Sequence, residues 1–272
     1  MNKKIIVIIS IIIVVFLVVL LAFNLGRNKA GSQLKAGLIS STSGLVNQAK
    51  GLEMKNDLPA AKIIYQKLIS EYPNSSEVMN WQKKLEDINI KLLFSSLITP
   101  KSGVYEIKPG DSLIKIAREF NTTAELIMRS NNLTESKIIP GRKIKVWTAP
   151  FSILVDKSQN TLILKTDEEV IKTYIVSTGK NNSTPVGNFK IVNKLINPTW
   201  FKAGAVVPAS SPENILGTRW LGFDLAGYGI HGTTEPQSLG RQVTDGCVRM
   251  SNRDVEEFFT IVPQGTEVTI VD

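Results

Sequence analysis

The chain has 272 residues, room for two or three small domains, and an ordinary apolar content of 43%. A single Cys and a single His exclude an internal disulfide and leave no clustered ligand set for zinc, so no metal is expected. The net charge of +8 suits nucleic acid, an anionic membrane face or acidic wall polymers, but no dense basic helix, zinc pattern or aromatic-basic motif of a nucleic-acid reader is present.

Lys3 and Lys4 precede an apolar run at residues 5–23, interrupted only by Ser10. At helical rise its length is roughly 28 Å, close to a bilayer's ~30 Å hydrocarbon core. The run is long and β-branched, and it leads into Asn24-Leu25-Gly26 without an A-x-A site. It therefore reads as an uncleaved transmembrane anchor (residues 1–24), with a cleaved secretory signal as the alternative. Lys3 and Lys4 favour a cytoplasmic amino terminus, but Arg27, Lys29 and Lys35 on the other flank blunt that bias.

Residues 25–98 read as an α-helical spacer. Asp57 caps a helix with Pro59 in its first turn, and Ala61, Ile64, Tyr65, Leu68 and Tyr72 share one face. Pro73-Asn74-Ser75 breaks it. Ser75 or Ser76 then caps a second helix carrying Val78, Trp81, Leu85, Ile88 and Leu92. Residues 57–74 resemble the second half of a tetratricopeptide repeat, through Ala61, Tyr65 and Pro73. That covers about one repeat, whereas such arrays need roughly three.

After a turn-rich linker at residues 98–103 the pattern becomes strand-helix-helix-strand over residues 104–147. Val104, Tyr105 and Ile107 start a strand that Pro109-Gly110 stops. Asp111 or Ser112 caps the first helix, Thr122 or Thr123 the second, and Pro140-Gly141 turns into a closing strand at 144–147. Tyr105-Glu-Ile-Lys-Pro-Gly-Asp-Ser-Leu113, Ile116-Ala117, Asn131-Asn132-Leu133 and Pro140-Gly-Arg-Lys-Ile144, in that order, resemble a LysM domain. The resemblance implies binding of N-acetylglucosamine-containing glycans such as peptidoglycan. The shallow site would lie between Gly110, Asp111 and Ser112 and the loop Asn131, Asn132, Leu133. Taken one at a time, those residues are also what caps and turns require.

Residues 150–272 are rich in strand patterns, at 151–155, 161–165, 170–177, 189–192 and 267–271. Ser251-Asn-Arg-Asp254 resembles a capping box ahead of Val255, Phe258 and Phe259. A mainly-β sandwich or barrel with one helix beside it is expected. The only His and the only Cys lie here, sixteen residues apart and both among glycines: Gly229-Ile230-His231-Gly232-Thr233 and Thr244-Asp245-Gly246-Cys247-Val248-Arg249-Met250. A free thiol is mostly protonated at neutral pH, and an imidazole within reach supplies the missing base. Glycine beside the nucleophile lets a substrate carbonyl approach main-chain N–H donors. Arg249 would share a strand face with Cys247 and can fork onto a carboxylate. Either residue alone reads more readily as ordinary core.

Together they resemble the L,D-transpeptidase (YkuD-like) catalytic domain, in which a glycine-flanked His precedes S/T-x-G-C-[IV]-R-[ML] by about sixteen residues. Thr184-Pro-Val-Gly-Asn-Phe189, Leu216-Gly-Thr-Arg-Trp-Leu221 and Tyr228-Gly-Ile-His-Gly-Thr233 fall in the family's order. The resemblance implies Cys247 as acylated nucleophile and His231 as proton acceptor, oriented by the Gly232 carbonyl. It further implies oxyanion donors at Gly246 and Cys247, a substrate-binding surface including Thr244 and Tyr228, and contact of Arg249 with a substrate carboxylate. Asp245 departs from the family, where a basic residue often precedes the Gly-Cys pair, and a carboxylate there disfavours the thiolate.

The expected reaction joins two peptidoglycan stem peptides in a 3→3 cross-link, without metal or cofactor. An L,D-carboxypeptidase using the same residues and a wall-binding scaffold acting through LysM stay open. The resemblance also places the body outside the cell membrane, facing the wall.

Overall fold

The computed structural model describes residues 31–202 and 204–272. The apolar run at 5–23, and with it the expected anchor, lies outside the described residues. Among the described residues no helix is long and apolar enough to cross a membrane. The chain divides into two compact units between Leu85 and Glu86.

The first unit holds helices α1 (Gly31–Met54) and α2 (Leu58–Glu71) and the start of α3 (Val78–Phe94). Asp57 caps α2, its side chain accepting from the Ala60 N–H at 3.2 Å. Leu58, Ala61, Tyr65 and Leu68 are buried along one stripe, as three-and-four spacing dictates. Ile64 and Tyr72, assigned to the same face, are half-buried. The Tyr65 hydroxyl donates to Glu53 Oε1 at 2.6 Å, so the phenol's polar end is satisfied.

The second unit begins inside α3, not at the turn-rich linker: Ile90 and Leu93 are part of the large apolar core that runs through its β-rich domain. Next comes a βααβ unit of β1 (Ser102–Glu106), α4 (Leu113–Glu119), α5 (Ala124–Ser130) and β2 (Lys143–Trp147), with β1 and β2 antiparallel. Ser112 caps α4 and Thr123 caps α5, each side chain accepting an N–H three residues on. Ile107, Leu113, Ile116, Ile127 and Ile144 form its own small core. Lys145 is buried, its Nζ donating to the Leu92 and Ser95 carbonyls at 2.8 Å each, at the carboxy end of α3. Unpaired carbonyls there favour a cation, while burial pushes the ammonium down to about 8.

The β-rich domain runs β3 (Phe151–Asp156), β4 (Thr161–Thr166), β5 (Glu169–Ile175), β6 (Thr178–Gly179), β7 (Gly187–Ile196), β8 (Trp200–Lys202), β9 (Ala205–Val207), β10 (Arg219–Phe223), β11 (Gly229–His231), β12 (Gln242–Thr244), β13 (Val248–Arg249), helix α6 (Asn252–Ile261) and β14 (Glu267–Val271). In place of two stacked sheets there is one eight-stranded mixed sheet, ordered β13-β11-β10-β7-β14-β3-β4-β5, plus small ribbons β6-β12 and β8-β9. Strict alternation of burial along β3 and β4 marks a sheet with one covered face. α6 covers it with Val255, Phe258 and Ile261, all fully buried. The sheet also rolls on itself. Just past β5, Ser177 bridges to Arg249 of the opposite edge strand through paired main-chain hydrogen bonds of 2.8 and 2.9 Å.

Asn131 ties α5 to β2. Its amide donates to the Ile127 and Lys145 carbonyls at 2.8 Å each, and its oxygen accepts the Lys145 N–H at 2.7 Å. Asn131→Ala leaves that strand's main chain half-satisfied and is expected to cost about 2–3 kcal/mol, read as a lower urea midpoint at unchanged slope.

Candidate active site

Three strands bring the site together by register alone. In β10 and β11, Trp220 opposes His231 and Gly222 opposes Gly229, while parallel pairing of β11 with β13 sets His231 beside Arg249. On the other side of β10, Trp220 opposes Leu195 and Gly222 opposes Asn193 of β7. One row on this face is therefore Leu195, Trp220, His231, Arg249. Because side chains alternate, Leu221, Ile230 and Val248 point the other way, and all three are fully buried.

Cys247 ends the loop that enters β13. Thr244 Oγ1 donates to the Cys247 carbonyl at 2.7 Å and accepts the Gly246 N–H at 3.2 Å, closing a tight turn around the nucleophile candidate. Gly246 sits at φ +136°, and a Cβ there would lie 2.7 Å from the Tyr228 ring. That position takes no side chain, for conformational and steric reasons together. The thiol is half-buried, with Sγ 3.5 Å from the Gly227 carbonyl.

His231 is buried, its Nδ1 2.6 Å from the Gly232 carbonyl. A carbonyl only accepts, so Nδ1 carries the hydrogen and Nε2 keeps the lone pair. Asn252, the first residue of α6, pins the loop behind it, Oδ1 accepting from Thr218 N at 3.2 Å and Thr233 N at 3.0 Å. A Cβ on Gly232 would strike that same oxygen at 2.2 Å.

Burial dominates the electrostatics. Desolvation pushes the imidazole down to about 4; the Gly232 and Leu216 main chain works against that and Arg249 with it. Burial likewise pushes the Cys247 thiol up to about 11. A main-chain hydrogen bond from Gly229 favours the thiolate, Asp245 opposes it, and Arg249 favours it. Asp245 is turned outward, 2.8 Å from Lys180 Nζ, and its influence exceeds that of Arg249. At neutral pH the site therefore holds a thiol and a neutral imidazole, not an ion pair.

A cavity of about 280 Å³ opens beside Cys247, walled by Leu195, Trp200, Phe201, Leu216 and Trp220 among others. Trp200 and Phe201 belong to the β8-β9 hairpin, and Phe201 is largely exposed. Arg249 does not reach this cavity. Its Nη1 donates to Glu235 Oε2 at 2.8 Å and Ser238 Oγ at 3.0 Å, which sets the guanidinium beside the imidazole.

The structure thus brings Cys247, Gly246, Thr244 and Tyr228 into one cluster and puts His231 and Arg249 on the neighbouring strands, with Gly232 just past β11. Asn193 and the β8-β9 hairpin carry no motif that sequence alone singles out, and the motifs that contain Trp220 and Asn252 do not show their roles, which come from contacts with residues far along the chain. In the βααβ unit the side chains named from sequence are already in use. Asp111 Oδ2 accepts from the Tyr105 hydroxyl at 2.9 Å and the Lys108 N–H at 2.8 Å. Ser112 and Asn131 serve as cap and staple, and Gly110 and Asn132 occupy positive-φ turns. Leu133 is half-buried against the small core.

Known proteins give this arrangement its class. The family model for the L,D-transpeptidase catalytic domain matches residues 150–270, and that for the LysM domain matches residues 105–147. YkuD of Bacillus subtilis, assigned by name to the L,D-transpeptidases, is 36% identical over 173 residues, covering 61% of this chain and 97% of that protein. Its namesake in Bacillus licheniformis is 38% identical over 176 residues, covering 61% of this chain and 98% of that protein. A solved L,D-transpeptidase from Mycobacterium smegmatis aligns at 22% identity with a TM-score of 0.39, over 50% of this chain and 65% of that one, so this chain spans just under two thirds of its length. The chain belongs to the L,D-transpeptidase (YkuD) family and carries a LysM domain ahead of its catalytic domain.

The depressed imidazole makes a stability prediction. Between its folded value of about 4 and its unfolded value of 6.5, the unfolded chain binds a proton that the folded chain refuses. Stability is therefore lost as pH falls through that window, by about 2 kcal/mol between pH 7.5 and 5. Urea unfolding at the two pH values measures it, and His231→Gln should remove that contribution.

Proposed function

We propose that this chain is a cysteine-dependent L,D-transpeptidase that forms 3→3 cross-links between peptidoglycan stem peptides. The observation that carries the reading is the tautomer of His231. With Nδ1–H held by the Gly232 carbonyl, Nε2 is the basic atom beside a loop whose thiol lines a cavity.

In the first step Sγ bonds to the carbonyl carbon of the third residue of a tetrapeptide stem, and the thiol proton passes to Nε2. The C–N bond to the terminal D-Ala then breaks, its amine taking the proton back from the imidazolium and leaving a thioester. In the second step the side-chain amine of another stem's third residue attacks the thioester and gives its proton to Nε2. The thiol leaves, and a new amide remains. Main-chain N–H groups of Gly246 and Cys247 are the oxyanion donors in this reading. The Gly246 N–H, now shared with Thr244 Oγ1, would shorten onto the developing charge. A substrate carboxylate reaches Arg249 only by replacing Glu235, whose side chain is 50% exposed.

The LysM domain supplies the second half of the reading. It holds N-acetylglucosamine-containing glycan near the thiol, and the apolar run at 5–23 anchors the body on the wall side of the cell membrane. Both rest on sequence, on the LysM match and on the length of the run.

The full chain incubated with disaccharide-tetrapeptides should yield dimers that have lost one D-Ala, seen by mass spectrometry. Cys247→Ala should reduce that yield by more than about 10³-fold. Tripeptide monomers alone would replace the transpeptidase reading with a carboxypeptidase. Untouched substrate with intact sacculus binding would leave a wall-binding scaffold.

A further inference from the structure

The Gly232 carbonyl holds His231 at Nδ1 and the Leu216 main chain lies close by, but main-chain contacts at the ring edge do not by themselves fix the plane of the ring. The opposite constraint comes from β10. Trp220 is the direct cross-strand partner of His231, and the two rings stack with centroids 5.9 Å apart and planes 18° from parallel. The indole is itself tethered, its Nε1 donating to Asn193 Oδ1 on β7 at 3.0 Å. It lies in a slot made by two glycines. A Cβ on Gly229 would be 2.9 and 3.0 Å from the ring carbons of Trp220, and one on Gly222 would be 2.7 Å from Nε1 and 2.5 Å from Asn193 Oδ1. Neither glycine has a positive φ. Their lack of a side chain therefore leaves room for the indole, and at Gly229 also for the Leu221 carbonyl, which would be 2.5 Å from a Cβ there. The same indole forms part of the wall of the cavity beside Cys247, and the imidazole stacks on it.

We propose that Trp220, locked by Asn193 across Gly222 and Gly229, is a positioning residue that fixes the plane of the His231 ring and keeps cavity water off it. The role assigned to His231 as base rests on the function proposed above, whereas the stacking does not. The groups that face the ring from the other elements are Arg249 with its partner Glu235, and the main chain of Gly232 and Leu216. None of these is altered by a change at 220 or 193.

His231 is the only histidine, so its imidazole proton resonance in the full chain reports on this ring alone. In wild type it should titrate near pH 4 and carry a ring-current displacement from the indole. In Trp220→Ala water reaches the ring, so its midpoint should rise by at least about one pH unit towards 6.5, and kcat for cross-linking should fall about tenfold or more. Asn193→Ala, an exposed site, should move the midpoint the same way but less, and Trp220→Phe, which keeps an aromatic face, should stay close to wild type. A role in packing alone would lower the melting temperature and leave the titration where it was, and that result overturns the proposal. If Trp220→Ala does not fold, the titration of Asn193→Ala decides. A wild type that forms no cross-links overturns the reaction but not the stack, which the titration still tests.

Discussion

A carbonyl oxygen cannot donate a hydrogen bond, and that one fact organises the site. Because Nδ1 of His231 faces the Gly232 carbonyl, the lone pair is forced onto Nε2, the only nitrogen free to take a proton from elsewhere. The carbonyl is in turn held by the loop that Asn252 staples from the first turn of α6. A helix start and a side-chain amide thus set, through the Gly232 carbonyl, the protonation pattern of a ring that neither of them touches.

Burial sets the working state of the pair. Both groups are pushed towards neutrality, the thiol upward and the imidazole downward, so the resting enzyme holds no separated charges. In the reaction proposed above, charge appears only as the thiol attacks, when neighbouring dipoles act on it at close range. Asp245, the departure from the family pattern, is solvated, pairs with Lys180 and acts against the thiolate, whereas Arg249, engaged with Glu235, acts in its favour. Desolvation is a larger influence on the thiol than either.

Local chemistry was legible in the sequence wherever one short segment decides it. Asp57, Ser112, Thr123 and Ser251 cap the helices that their positions foretell, and the alternating runs at β3 and β4 form strands with one buried face. The lone His and lone Cys among glycines stood out as a candidate site for the same reason, since the spacing from glycine to functional group is local. What the sequence hid is set by register. Nothing in Arg219-Trp220-Leu221 announces that Trp220 will lie on His231, because the pairing depends on how β7, β10 and β11 align. The rolled single sheet, the β8-β9 hairpin and the boundary inside α3 escaped for the same reason. A helix of continuous apolar spacing does not show that its two ends belong to different cores.

The bridge between Ser177 and Arg249 has a consequence for how a peptide can approach. An open sheet ends in strands with unsatisfied amides and carbonyls, and a foreign chain can settle there as one more strand. Here the strand after the nucleophile loop is paired with β11 on one side, and on the other both main-chain groups of Arg249 are taken by Ser177. A chain approaching there is therefore denied strand-like docking at that position, because the sheet closes on itself instead of offering a free edge.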